Sequence, residues 1–202
     1  MARSILSWGQ TISASTSSPR QARVILLNGV GSAGKSAVAK ALQAITSESF
    51  LHVQMDSFLE MLPEACQNHP DSFAYETVHE SGKPLVVINT GPLGERLLRG
   101  MRRAIAALAA EGNNLIVDDV LLDDANADYA ALLAPFEVFR VGVFAPLDML
   151  EARERERGDR MTGLARWQYD RVHQGMTYDL EVDTCRATPM ECAERIKQAF
   201  GL

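Results

Sequence analysis

Eight consecutive residues, Gly29-Val30-Gly31-Ser32-Ala33-Gly34-Lys35-Ser36, place three glycines, a lysine and a hydroxyl in the order G-x-x-x-x-G-K-S. Glycines at these spacings let a backbone wrap around a polyphosphate with its N–H groups turned inward, and a helix that starts at the lysine offers its positive end to the same anion. Lys35 would then reach the β- and γ-phosphates of a nucleotide. Ser36, in the first helical turn, would place a hydroxyl on the magnesium ion that bridges them. A glycine turn that merely packs a strand on a helix is the bland alternative. The Val-Ile-Leu-Leu-Asn run before the motif and the Ala-rich stretch after it favour the phosphate loop.

Two further carboxylate positions stand at the ends of apolar runs. Leu115-Ile116-Val117 leads straight into Asp118-Asp119, the pattern of a buried strand that delivers an acid to the magnesium shell. Asp118 is the residue expected there. Neighbouring side chains on a strand point to opposite faces, so Asp119 is left to reach toward an acceptor or to cap the next loop. Phe50 to Val53 delivers Met55-Asp56-Ser57 in the same way. In open α/β folds ligands bind at the carboxyl edge of the sheet. A carboxylate at 56 could take the proton of an acceptor hydroxyl or orient it for attack on a γ-phosphate; the alternative is a helix N-cap for a short segment beginning at Ser57.

Arginines 153, 155, 157, 160, 166 and 171 crowd into nineteen positions, interleaved with Glu151, Glu154, Glu156 and Asp159. Much of such a run is a solvated helix with ion pairs, and Arg155 is assigned to that face. Arg157-Gly158-Asp159-Arg160 reads differently, because a glycine hinge flanked by two arginines can close over phosphates and exclude water. His52, His69, His79 and His173 share no ligand spacing and are read as structural or surface residues.

These groups need a scaffold that brings them to one edge. From Arg23 on, β-rich apolar runs (Val24 to Leu27, Phe50 to Val53, Leu115 to Val117, Val138 to Val143, Leu180 to Val182) alternate with helix-length stretches. The helices are expected at about Lys35 to Ile45, Pro92 to Ala110, Ala125 to Ala134, Pro146 to Arg157 and Pro189 to Phe200. This is the pattern of a parallel sheet covered by helices. Thr188, Pro189 and Glu191 mark the last helix start with a capping box and a proline at the first helical position. Between Leu62 and Pro92 the chain shows little periodicity, as lids and substrate-binding loops often do. Met1 to Ala22, rich in Ser and Thr and without an acid, reads as a flexible tail, with an organellar transit peptide as the alternative.

The 202 residues, 47% hydrophobic and 23% charged, suit one domain over 23–202. A net charge of −6 carries no footprint for nucleic acid or an anionic membrane, which leaves small molecules as the expected partners. Cys66, Cys185 and Cys192 lack disulfide or zinc spacing and are read as reduced thiols. No apolar run approaches the roughly 20 residues of a membrane span. A soluble, cytoplasmic protein is expected. The oligomeric state is left open, a homo-oligomer included.

With these elements together, the chain resembles the chloramphenicol 3-O-phosphotransferase family of P-loop kinases over nearly all of Arg23 to Phe200. The resemblance rests on Ile25-Leu26-Leu27-Asn28-Gly29 with Ser-Ala-Gly-Lys-Ser, on Val53 to Ser57, Ile116 to Val120 and Arg157 to Arg160, and on Tyr178-Asp179-Leu180-Glu181-Val182-Asp183-Thr184. The last run is not a general P-loop feature. The resemblance implies a three-layer fold like that of the nucleoside monophosphate kinases, ATP as donor with Mg2+, and an acceptor hydroxyl activated by Asp56. It also implies an arginine, Arg160, near the transferring phosphate. The tail and Cys66 to Ile88 depart from the family pattern, and the latter lies where an acceptor pocket, an insert over about 63–91, would be built opposite a lid over about 153–166. Three functions fit at this stage. They are a small-molecule O-phosphotransferase acting on chloramphenicol or a related amide-diol, and thus in antibiotic resistance; a kinase of sugar nucleotides like the zeta-type toxins; and a nucleotide-binding switch or ATPase without an acceptor. The base at 56 and the arginine lid favour a kinase.

Overall fold

The computed structural model describes residues 21–122, 124–158 and 161–202. The proposed tail, apart from Gln21 and Ala22, and Arg160 with Asp159 of the lid motif lie outside the described residues. Ala22 is buried and its carbonyl accepts a hydrogen bond from Glu137 N at 3.1 Å, so the packed part of the chain begins slightly ahead of Arg23.

Five parallel strands form the central sheet: β1 (Arg23–Asn28), β2 (Phe50–Gln54), β5 (Asn114–Asp119), β6 (Glu137–Phe144) and β7 (Leu180–Asp183), in the spatial order β2-β5-β1-β6-β7. All five expected strands are present. Both faces are covered, as parallel sheets require. Ile25 and Leu27 point into a core shared with α1 (Lys35–Ile45), α5 (Leu147–Arg157) and α7 (Pro189–Phe200). Val24 and Leu26, one residue out of phase, point into a second core with α3 (Pro92–Ala110) and α4 (Ala125–Leu132). All four side chains are at most 1% exposed, and burial of each contributes about 1.5–3 kcal/mol. The capping box of α7 is formed: Thr188 Oγ1 accepts from Glu191 N at 3.3 Å and Thr188 N donates to Glu191 Oε2 at 2.7 Å.

The expected aperiodic stretch before Pro92 is instead a hairpin. β3 (Phe73–Glu80) and β4 (Lys83–Thr90) pair antiparallel through a turn in which Ser81 (φ 52) and Gly82 (φ 77) are both left-handed, the geometry that two-residue hairpin turns favour. β4 is anchored at Val86, fully buried, whose N–H donates to Gly163 O at 3.0 Å. Gly163 (φ 105) begins the short helix α6 (Leu164–Tyr169), and a side chain there would place Cβ 2.7 Å from Pro84 O. The hairpin therefore seats directly on the start of α6. A second short helix, α2 (Met55–Leu59), follows β2 without an intervening loop.

Candidate functional site

The sheet itself decides where the carboxylates of β5 point. Ile116 packs in the core beside α1, so Asp118, two residues on, faces α1; Val117 packs in the other core, so Asp119 faces α4. Asp118 Oδ2 accepts a hydrogen bond from Ser36 Oγ at 2.5 Å, and its Oδ1 lies 3.8 Å from Lys35 Nζ. Asp119 accepts from Tyr129 Oη at 2.8 Å and, through Oδ1, from its neighbour Val120 N at 2.7 Å. Of the two roles left open for Asp119, capping the next loop is the one its hydrogen bonds fill. Burial pushes its carboxyl above the ordinary range. Burial also acts to raise Asp118, but the His52 ring, the Lys35 charge and the Ser36 hydroxyl outweigh it and hold that carboxyl below the usual value.

The glycine loop runs from the end of β1 to the start of α1. Gly29 sits so close to β6 that a Cβ would stand 2.4 Å from Val143 O. Ser32 (φ 65) and Gly34 (φ 90) are left-handed, so the loop turns back on itself before Lys35. Lys35 Nζ donates to the loop's own carbonyls, Gly29 O at 2.9 Å and Val30 O at 3.2 Å. Three side chains to which sequence reading gave no role of their own fix the loop from outside. Gln168 of α6 accepts from Gly31 N at 2.7 Å; Thr184, just past β7, donates to Ala33 O at 2.8 Å; Arg153 of α5 donates to Thr184 Oγ1 at 3.0 Å and Thr184 O at 2.9 Å. Arg153 was visible only as a member of the arginine run. Its signal was the helical i, i+4 spacing to Arg157, which puts both on one face.

Lys35, Ser36, Asp118 and Asp56 line one cleft of about 750 Å³, together with Gly31, Ser32 and Gly34 of the loop. Asp56 enters it from the first turn of α2. That helix starts at Met55 with Gln54 in the capping position, so Asp56 is not its N-cap. Arg157 lines the cleft from the last turn of α5, Gly158 ends that helix in the left-handed conformation, and Arg155 is exposed. No residue of 63–91 lines the cleft. The base of the expected lid is held by Glu154, 2% exposed, whose two oxygens accept from Gly163 N and Ala165 N, each at 2.8 Å. Glu151 and Arg166 form an ion pair beside it.

Ser36 and Asp118 are hard oxygen donors turned toward the loop, which suits Mg2+. Among the described residues no cluster of three His, Cys, Asp or Glu side chains could hold a metal alone. His52, a β2 residue expected to be structural, stands in this group: its side chain is 7% exposed and Nε2 lies 3.6 Å from Asp118 Oδ2. That is too far for a hydrogen bond, and Nε2 finds no partner among the described residues. Leaving such an atom unpaired costs about 1–3 kcal/mol.

The Tyr178 to Thr184 run also acquires a physical role. Asn28 accepts from Leu121 N at 2.8 Å through its oxygen, so its amide nitrogen donates to Tyr178 Oη at 2.7 Å and to Val172 O at 2.7 Å. Tyr178 must then spend its own proton on His173 Nδ1, 2.6 Å away. The His173 ring, stacked on Phe144 at 3.9 Å between centroids, is therefore neutral with hydrogen on Nε2. Burial and the Lys35 charge push it down to about 4 from 6.5. Because the unfolded chain takes up the proton first, His173 contributes stability that is present above pH 6.5 and lost as pH falls toward 4. The variant His173→Phe, which keeps a ring on Phe144, should show a flatter fall of Tm across that window than the wild type. An unchanged slope, read by thermal melts at several pH values, would assign the loss to other groups.

A parallel sheet with a glycine loop after its central strand, a lysine and serine at the first helical turn, and an acid from the neighbouring strand defines a P-loop kinase. The model of the family described as chloramphenicol phosphotransferase-like protein matches residues 22–201, and the chain belongs to that family. Mycobacterium tuberculosis strains H37Rv and CDC 1551 each hold a relative, provisionally named an O-phosphotransferase, that is 30% identical over 89% of this chain and 83% of its own length. Among solved structures, the M. tuberculosis APS kinase CysC in complex with AMPPNP and APS has a TM-score of 0.63 at 16% identity, covering 91% of this chain and 100% of that one. The Deinococcus radiodurans tunicamycin resistance protein gives 0.62 at 18% identity, over 90% and 97%. These likenesses are in the fold. No helix among the described residues is long and apolar enough to cross a membrane.

Proposed function

We propose that this protein is an ATP-dependent O-phosphotransferase that moves a γ-phosphoryl group onto a hydroxyl of a small, uncharged or amine-bearing molecule. The observation that carries the reading is that Asp56 lines the same cleft as Lys35, Ser36 and Asp118. A carboxylate there takes the acceptor's hydroxyl proton as its oxygen bonds to the γ-phosphorus. The bond from that phosphorus to the β–γ bridging oxygen breaks, and ADP leaves. Lys35 and the loop's N–H groups bind the phosphates, and Arg157, with Arg160 beyond it, neutralises charge on the transferring group. Ser36 and Asp118 would hold Mg2+, which supplies charge shielding on the phosphates when bound.

Charge on the acceptor wall narrows the class. β2, α2 and the residue that ends α2 contribute Gln54, Asp56, Ser57 and Glu60 to the cleft, two carboxylates and no cation. An acceptor bearing its own phosphates would meet like charge there, which disfavours a sugar nucleotide. A neutral amide-diol such as chloramphenicol meets no such cost. The family membership and the provisional names of the M. tuberculosis relatives support phosphorylation of an oxygen. The test is to incubate the full chain with ATP or GTP, magnesium and a panel of hydroxylated antibiotics and metabolites, and to seek products heavier by one phosphoryl group. ADP release without any phosphorylated product would point to the ATPase or switch reading instead.

A further inference from the structure

Among the described residues His52 is the one buried side chain at this site whose polar atom is left over, and its surroundings name a use. It lies on the same face of β2 as Phe50, which packs beside α1, and it meets the side of Asp118 that already bonds Ser36. Among the described residues Nε2 makes no hydrogen bond. Between a ring nitrogen and a carboxylate oxygen only an N–H attracts, so a proton on Nε2 fits here. The gap of 3.6 Å exceeds a hydrogen bond by about half an ångström, a distance that a small rotation of the Asp118 carboxylate closes.

We propose that His52 is a positioning residue for Asp118, donating Nε2–H to Oδ2 when a metal–nucleotide complex fills the cleft and thereby holding the carboxylate toward the metal's shell. A reason for the shift is present in the nucleotide-free geometry. Lys35 lies 3.8 Å from Oδ1 and donates to loop carbonyls. Once it turns to phosphates, Asp118 loses part of its positive neighbour while Ser36 gains a second task at the metal. A donor already buried beside Oδ2 replaces that support without further desolvation. Second-shell donors of this kind fix the orientation of metal-binding carboxylates and tune affinity. The inference rests on the metal–nucleotide part of the function proposed above.

The test uses the full chain with ADP and Mn2+ as the probe, free Mn2+ being followed by electron paramagnetic resonance. His52→Phe keeps bulk and removes the donor, whereas His52→Gln keeps a donor. The expected result is about tenfold weaker Mn2+ binding for His52→Phe and recovery to within about threefold of wild type for His52→Gln, with ADP affinity in EDTA the same in all three. Equal Mn2+ affinity in wild type and His52→Phe overturns the inference. So does His52→Gln binding as weakly as His52→Phe, which would reduce the site to shape. Should His52→Phe not fold, the wild type with 15N-labelled histidine decides: an Nε2–H resonance that becomes protected on adding Mg2+ and ADP supports the proposal, and its absence refutes it. A wild type that fails to bind Mn2+ with ADP sinks the kinase reading itself.

Discussion

Asp56→Asn should lower kcat by a factor of about 10² to 10⁴, the usual contribution of a positioned general base, with nucleotide affinity close to that of the wild type. The amide retains the size of the carboxylate and the hydrogen-bonding oxygen, but it cannot take a proton. Its place explains the split. Asp56 enters the cleft from α2, on the side that the proposed function gives to the acceptor, whereas the groups that it gives to the donor come from the loop, α1 and β5. Steady-state kinetics on any acceptor found by the mass-spectrometric screen, together with calorimetric titration of ADP, measures both halves. Loss of nucleotide binding in this variant would place Asp56 in the metal shell or in the fold, and unchanged kcat would remove it from proton transfer.

Lys35→Ala should cost a factor of about 10² to 10³ in kcat, the scale on which a single preorganised donor to a developing anion acts. Unlike the aspartate variant, it should also weaken nucleotide binding. The lysine is 7% exposed and holds Gly29 O, Val30 O and the Asp118 neighbourhood together. Removing it also leaves Asp118 with one cation fewer, so its carboxyl should rise from its lowered position. Near-normal turnover would refute the phosphate-loop assignment, and activity loss with full nucleotide affinity would assign Lys35 to the chemical step alone.

The parallel sheet was legible because its middle strands β1 and β5 are apolar runs covered on both sides, and the strands beside them, though partly exposed, keep enough hydrophobic residues to stand out from their surroundings. The phosphate loop was legible because glycine, lysine and serine at fixed spacing have few other uses. The hairpin was not. Of β3 only Phe73 is buried, and β4 carries Pro84 near its start, so neither strand shows the alternation of a half-buried sheet. Ser81-Gly82 followed by Leu85-Val86-Val87-Ile88 was the available clue. At the site, Lys35, Ser36, Asp118 and Asp56 could be placed from strand ends. Gln168, Thr184 and Arg153 could not, because their contacts to the loop join elements 121 to 151 residues apart in the chain and no local pattern encodes such closures. His52 escaped for a different reason. An imidazole in a strand has no periodic signature, and only the missing partner of its nitrogen sets it apart.

The position of β5 between β1 and β2 has a consequence for how this fold can change its chemistry. Leu27 of β1 and Gln54 of β2 both sit in register with Asp118, so the strand that carries the phosphate loop and the strand that leads to Asp56 are held two inter-strand spacings apart, about 10 Å. That distance is written in backbone hydrogen bonds, like the marks on a ruler, and surface substitutions leave it alone. Donor and acceptor ends thus keep their separation while α2 and its neighbours are free to drift in sequence. A lineage built on this frame can trade one alcohol for another without relearning how to hold a triphosphate.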